Sequence, residues 1–495
     1  MAKSLMIQGT GSGVGKSVLT AAFCRIFLQD GFNVCPFKAQ NMSLNSFVTK
    51  EGGEMGRAQV VQAQASKLEP RVEMNPVLIK PSSDVMAQVI VSGKPIGNLN
   101  ALKYTNYKQK LRKTVRESFQ KLAKEFEVIV LEGAGSPAEV NLRKNDLVNM
   151  SMAFFAKAPV ILVADIDKGG ALAWVCGTLD LLTKKERQMV KGIIINKFRG
   201  DIALLKPGLK FLEKRTGVKV LGVVPFFRGI KIPEEDGVYC DDLKNKQLAK
   251  KKINVSVIYL PHISNFTDFD CLEKEPDVDL RYLRLPEELV NPDIIILPGT
   301  KNTISDLNWL RRSGFAQAIL SSLDLRPSAI LTGICGGYQM LGKKIFDRGQ
   351  AESSQKEIDG LGLLDIQTYL KKDKILAQVK AKERTSGKSV SGYEIHHGQT
   401  KSALGPWFEV SQGKKSYFDG AISSDRRIFG TYIHGIFDND EFRNNFLNRA
   451  RKNKGAPELA VRKGLNLEQE YDKLATVVRN NLDMRSIYRI LGVKR

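Results

Sequence analysis

The chain has 495 residues, 42% of them hydrophobic and 26% charged, with a formal net charge of +23. That length exceeds one ordinary core and predicts two to three domains, while the composition excludes a disordered chain. No apolar run approaches the ~20 residues of a membrane span, and the six cysteines show neither a CxxC pair nor metal-ligand spacing.

Near the start, the short apolar run Leu5-Met6-Ile7 leads into Gly9-Thr10-Gly11-Ser12-Gly13-Val14-Gly15-Lys16-Ser17. The run is too short for a signal peptide, so a cytoplasmic protein is expected. A glycine-rich turn between this strand and a helix from Val18 to Leu28 presents backbone N–H groups to phosphate. Lys16 is placed to reach the outer phosphates, and the Ser17 hydroxyl to hold Mg²⁺. Thr10 stands where the strict G-x-x-x-x-G-K-[ST] spacing has glycine, with Gly9 one residue early, so the loop is a variant.

Three β-branched runs follow: Val128 to Leu131, Val160 to Val163 and Gly192 to Ile195. Strands buried on both faces of a parallel sheet look like this. Each ends beside a residue with chemistry: Glu132, Asp165 and Asn196. Ligands of open α/β sheets gather at such strand ends. Glu132 is a candidate Mg²⁺ ligand, its plainer alternative being a carboxylate that merely closes a turn. Asn196-Lys197 is placed to read a base, and Asp201 lies too far on for the N-K-x-D guanine signature. ATP is therefore the expected nucleotide.

A composition shift at 241–252, rich in lysine, predicts a linker between residues 1–240 and a second α/β series over 253–440. Residues 441–495 form a helical extension, with apolar residues at helical spacing from Tyr471 to Leu491. The lysines are scattered rather than massed in one stripe. Neither nucleic acid nor membrane is an expected partner, and a polyanionic substrate with ATP also favours a basic surface.

In the second series, Gly333-Ile334-Cys335-Gly336-Gly337 follows an apolar run and precedes a helix-like stretch from Tyr338. Such a turn exposes a nucleophile, and the Gly336 N–H is placed to serve an oxyanion. A second donor is expected from Gly299 in Leu297-Pro298-Gly299-Thr300. One such donor is worth ~3 kcal/mol in the transition state. The base is a histidine: His434 is best placed, His396 and His397 are rivals, and His262 reads as structural. An enzyme with both sites can free ammonia from an amide and use ATP to install it on a carboxylate.

Further stretches extend along nearly the whole chain: Pro36 to Met42, Asn75 to Pro81, Leu131 to Glu139, Asn196 to Asp201, Ser264 to Asp270 and Pro298 to Thr303. With these the chain resembles the cobyric acid synthase family, glutamine-dependent ligases of cobalamin biosynthesis. The resemblance implies a P-loop NTPase-like parallel-sheet domain, similar to dethiobiotin synthetase, followed by a class I glutamine amidotransferase (flavodoxin-like) domain. It also implies that Thr10 is normal in this branch, that Cys335 is the nucleophile with His434 its base, and that Gln339 helps hold glutamine. Lys38 and Asn41 fall in the stretch expected near the phosphates or the acceptor. The implied corrinoid substrate is adenosylcobyrinic acid a,c-diamide, amidated at the b, d, e and g carboxylates. The related a,c-diamide synthases are the nearer alternative, and a DNA-partitioning P-loop ATPase the more distant one. Many class I members carry a glutamate two residues after the histidine, where this chain has Ile436, so the group orienting His434 is left open.

Overall fold

The structure, a computed structural model, describes residues 2–83, 85–227, 229–233, 253–413 and 415–494. The linker expected at 241–252 lies outside the described residues. The β-branched runs of the N-terminal half become a parallel sheet in the order Val220–Pro225, Val190–Phe198, Val160–Asp165, Lys3–Gly9, Val128–Glu132, Val34–Phe37. Lys3–Gly9 sits between strands whose connections run in opposite directions. Its carboxyl end is therefore the topological switch point where α/β sheets bind ligands. A smaller sheet of Gln40–Met42, Val77–Pro81, Met86–Val91 and Lys94–Asn100 is inserted in the same half.

The C-terminal half has its own sheet, in the order Val278–Leu283, Ile253–Ile258, Ile294–Leu297, Ile330–Ile334, Ile428–Thr431, Ala421–Ile422. The first five strands are parallel, in the flavodoxin-like order. A long antiparallel hairpin, Ile366–Glu383 with Ser389–Ser402, leaves this sheet and faces the first half. Among the described residues no helix is long and apolar enough to cross a membrane.

The end of the chain returns to its beginning. Helix Leu467–Asn480 buries Tyr471, Leu474, Ala475 and Val478, one helical face, against Phe23 and Phe27 of helix Lys16–Gln29. Arg25 of that helix pairs with Asp472 at 2.7 Å and Glu468 at 2.8 Å. The terminal segment thus braces the helix that starts at the glycine loop.

A buried ion-pair group joins the halves. Glu54 lies 3.0 Å from Lys80, in its own half, and 2.7 Å from Lys374 of the hairpin. Burial favours the neutral acid, yet the two ammonium groups hold the Glu54 carboxyl far below its usual range. A depressed carboxyl stabilises the fold above its unfolded pKa and less as pH falls below it. Glu54→Ala leaves two buried cations without their carboxylate and is expected to cost about 3–5 kcal/mol. The denaturant midpoint measures it, and an unchanged midpoint would mean that the pair contributes nothing net.

Candidate active sites

At the end of Lys3–Gly9 the chain turns through Gly13 and Gly15, both at positive φ, before helix Lys16–Gln29 begins. Gly15 has φ +94°, and a Cβ there would sit 2.2 Å from Asn196 Nδ2, so only glycine fits. Gly9 is similarly confined, by Val14 and the Lys16 stem. The Thr10 N–H donates to Val163 O at 2.9 Å, stitching the variant loop to the neighbouring strand. Lys16 Nζ folds back onto Gly11 O at 2.7 Å and Gly135 O at 3.2 Å. Asn196 Nδ2 donates to Val14 O at 2.9 Å, and Lys197 Nζ to Gly13 O at 2.6 Å.

Glu132, buried at its strand end, gathers the groups around it. Its Oε1 accepts from Ser17 Oγ and from Lys38 Nζ, each at 2.8 Å, and its Oε2 accepts from Gln62 Nε2 at 2.5 Å. Burial alone would raise its pKa, but the Lys38 charge and these hydrogen bonds hold the carboxyl below the ordinary range. Lys16, Ser17, Lys38, Asn41, Glu132 and Asn196 all wall one open cavity of about 870 Å³. That volume is enough for a nucleotide and part of a large acceptor. A hydroxyl and an ionised carboxylate 2.8 Å apart fit the Mg²⁺ preference for one or two protein oxygens plus phosphates. Among the described residues no cluster of three or more His, Cys, Asp or Glu offers a metal cage.

The second site lies at the carboxyl ends of the C-terminal sheet. Cys335 joins strand Ile330–Ile334 to the short helix Gly336–Met340 with φ 52° and ψ −108°, outside the usual regions for a residue with a side chain. Strain of this kind is found where a sharp strand-to-helix turn holds a reactive side chain. The turn is possible because a Cβ on Gly337 would fall 2.0 Å from Leu297 O. Cys335 and His434 line one small pocket; the Cys335 thiol donates to Ile395 O at 3.8 Å, and His434 Nδ1 lies 2.6 Å from Asp268 Oδ2. Asp268 Oδ1 also accepts from the Gly435 N–H at 3.0 Å, fixing the carboxylate. Burial opposes a charged ring, but the Asp268 carboxylate and the Cys335 sulfur push the His434 pKa up to about 10. His434 can therefore hold a proton taken from Cys335.

That pair has a signed consequence. A raised pKa keeps the ring charged through neutral pH, and the charge is lost only as pH rises through about 10. Asp268→Asn removes the supporting charge. Glutamine hydrolysis is then expected to fall by about 10²- to 10⁴-fold, and its alkaline limb to move to lower pH. A pH profile of kcat/KM measures both, and an unmoved alkaline limb would contradict the role given to Asp268.

The other histidines separate cleanly. Burial pushes His396 and His397 down to about 3, so both are neutral. His396 Nδ1 donates to Gly398 O at 2.7 Å while its ring stacks on Tyr432. His397 Nδ1 donates to Lys371 O at 2.9 Å, and its Nε2 lies 3.2 Å from Gln88 Nε2 of the first half. His262 Nδ1 lies 2.6 Å from Asp306, on a separate acid.

Gln339 lines the small Cys335 pocket, its Nε2 donating to the Tyr432 hydroxyl at 3.4 Å and its Oε1 buried without a partner. Gly299 and Gly336 flank the reacting pair: a Cβ on Gly299 would lie 3.0 Å from His434 Cε1, and one on Gly336 3.1 Å from Thr300 N. Sequence reasoning missed Asp268, the carboxylate paired with His434. It lay inside the Ser264 to Asp270 stretch, but nothing local ties it to a histidine 166 residues away. Lys80 and Lys301 were missed too. Both line the Cys335 pocket, and burial pushes each down to about 8.

Comparison with known proteins identifies two domains that carry these sites. Residues 5–237 match a CobQ/CobB/MinD/ParA nucleotide binding domain, and residues 254–442 a CobB/CobQ-like glutamine amidotransferase domain. Over the full chain, this protein is 50% identical to a cobyric acid synthase of Desulfitobacterium hafniense (strain DSM 10664 / DCB-2), covering 99% of that protein. It is also 50% identical to one of Clostridium botulinum (strain Loch Maree / Type A3), end to end. A third, from Pelotomaculum thermopropionicum, is 49% identical with 97% of its length covered.

Proposed function

The chain belongs to the cobyric acid synthase family, and on that footing we propose that it amidates the b, d, e and g carboxylates of adenosylcobyrinic acid a,c-diamide, spending ATP and glutamine at separate sites. In this reading the glycine-loop N–H groups and Lys16 hold the outer phosphates, and Asn196 faces the base. Lys38 and Asn41 turn toward the acceptor. Ser17 and Glu132 would hold Mg²⁺, which supplies neutralising charge to the phosphates when bound. The acceptor carboxylate attacks the γ-phosphorus, releasing ADP and leaving an acyl phosphate. Ammonia then attacks the acyl carbon and phosphate departs.

The ammonia comes from the second site. Cys335 gives its proton to His434 and attacks the glutamine amide carbon, with the Gly299 and Gly336 N–H groups toward the oxyanion and Gln339 toward the amino acid. His434 passes the proton to the departing ammonia, and water hydrolyses the thioester to glutamate.

The observation that carries this reading is the pairing of the Cys335–His434–Asp268 constellation with the Lys16–Ser17–Glu132 constellation in one chain, across a buried interface. The a,c-diamide synthase alternative is not favoured, because the full-length relatives described above are cobyric acid synthases. A DNA-partitioning ATPase leaves Cys335 and its partners without a task. Labelling the acceptor carboxylates with ¹⁸O tests the chemistry: one labelled oxygen should appear in phosphate for each amide formed. Phosphate free of label would exclude the acyl phosphate.

A further inference from the structure

The residues that hold His434 are themselves tied to the other half of the chain. Tyr393, on the hairpin, stacks its ring on His434 with centroids 5.3 Å apart and planes 16° apart. The backbones of these residues also pair, His434 N–H to Tyr393 O at 2.8 Å and Tyr393 N–H to His434 O at 3.2 Å. The Tyr393 hydroxyl does not stay within its own half. It donates to Ser46 O at 3.3 Å and accepts from Asn265 Nδ2 at 3.2 Å.

Asn265 opens the turn that presents Asp268. It adopts φ 54°, and its carbonyl accepts the Asp268 N–H at 3.0 Å. Two bonds from the first half fix this turn. The Ser46 N–H donates to Asn265 Oδ1 at 3.1 Å, and the Phe266 N–H donates to Asn45 Oδ1 at 3.3 Å. Asn45, Ser46, Asn265, Asp268, Tyr393 and His434 are all buried. Hydrogen bonds in such a site are costly to leave unmade, and they fix one arrangement. Asn45 is itself locked by its N–H to Ser43 Oγ at 3.0 Å and by its carbonyl accepting the Arg57 N–H at 3.1 Å.

We propose that Asn45 and Ser46 of the nucleotide-binding half are positioning residues of the glutamine-hydrolysing site: through the turn at Asn265 and through Tyr393 they set the geometry of Asp268 and His434. This deepens the reading of Cys335 as a glutaminase nucleophile and rests on it. The same short segment begins at Asn41 and Met42, which wall the large cavity beside Lys38 and Glu132. One rigid stretch of chain therefore reaches both sites, and the amide-cleaving machinery is complete only when the two halves are docked. The placement also accounts for polar side chains buried at Asn45 and Asn265, where apolar packing would otherwise be expected.

The test measures glutamine hydrolysis by the full chain with no corrinoid present, so the acceptor assignment does not enter. Asn45→Leu keeps the bulk and removes the oxygen that accepts from Phe266. It is expected to lower kcat about tenfold while KM for glutamine changes by less than about twofold. Asn45→Asp restores an acceptor oxygen at the same place and should recover most of the rate. Tyr393→Phe keeps the ring on His434 but cuts the link to Ser46 and Asn265. It should lower kcat by several-fold, and it decides the matter if the Asn45 variants do not fold. Wild-type kcat in both Asn45→Leu and Tyr393→Phe would overturn the proposal, as would an Asn45→Asp enzyme no better than Asn45→Leu. A wild-type chain unable to hydrolyse glutamine at all would remove the reading beneath it.

Discussion

Cys335→Ala is expected to lose glutamine-driven synthesis by at least about 10³-fold, the scale on which removing a covalent nucleophile acts. Synthesis driven by high ammonium should persist at close to the wild-type rate. In the proposed scheme the sulfur serves only to free ammonia, and the cavity of Lys16, Lys38 and Glu132 does not include Cys335. Alanine is smaller than cysteine and leaves the glycine-flanked turn in place, so the fold should survive. Loss of both activities in a folded variant would contradict a division of labour between sites.

Lys16→Ala should instead abolish synthesis from either nitrogen source. Its ammonium reaches Gly11 O and Gly135 O across the mouth of the phosphate loop, at 2.7 and 3.2 Å. No other side chain at the start of helix Lys16–Gln29 brings positive charge to that place. Removing one such charge from a phosphoryl-transfer site is expected to cost on the order of 10²- to 10³-fold in kcat. The comparison uses the ADP formed with glutamine and then with ammonium. Wild-type rates in either assay would refute the phosphate role of Lys16.

Local features were legible in the sequence. Val128–Glu132, Val160–Asp165 and Val190–Phe198 read as strands because burial on both faces leaves an unbroken β-branched run. The Lys16 loop and the Cys335 turn read correctly because their glycines answer to steric demands made within a few residues. Partnerships across distance were not legible. Asp268 pairs with a histidine 166 positions away, and its own surroundings look like an ordinary turn. Lys374, in a run of charged residues, is buried against Glu54 of the other half, a pairing that no local pattern shows. The terminal helices were visible from their spacing, but their packing on helix Lys16–Gln29 depends on a face that only the assembled fold presents. Strand-end position and the resemblance favour His434 over His396 and His397 in the sequence. In the structure His396 and His397 are buried with their pKa pushed down, whereas His434 pairs with the Asp268 carboxylate.

The central claim is that ammonia freed at Cys335 is installed on corrin carboxylates activated by ATP. Mass spectrometry tests it most directly, on adenosylcobyrinic acid a,c-diamide incubated with the protein, Mg·ATP and glutamine labelled with ¹⁵N in its amide. The expected result is stepwise conversion of carboxylates to labelled amides, ending at adenosylcobyric acid. An unchanged corrinoid, with glutamine hydrolysed and ATP consumed, would contradict the assignment of the acceptor.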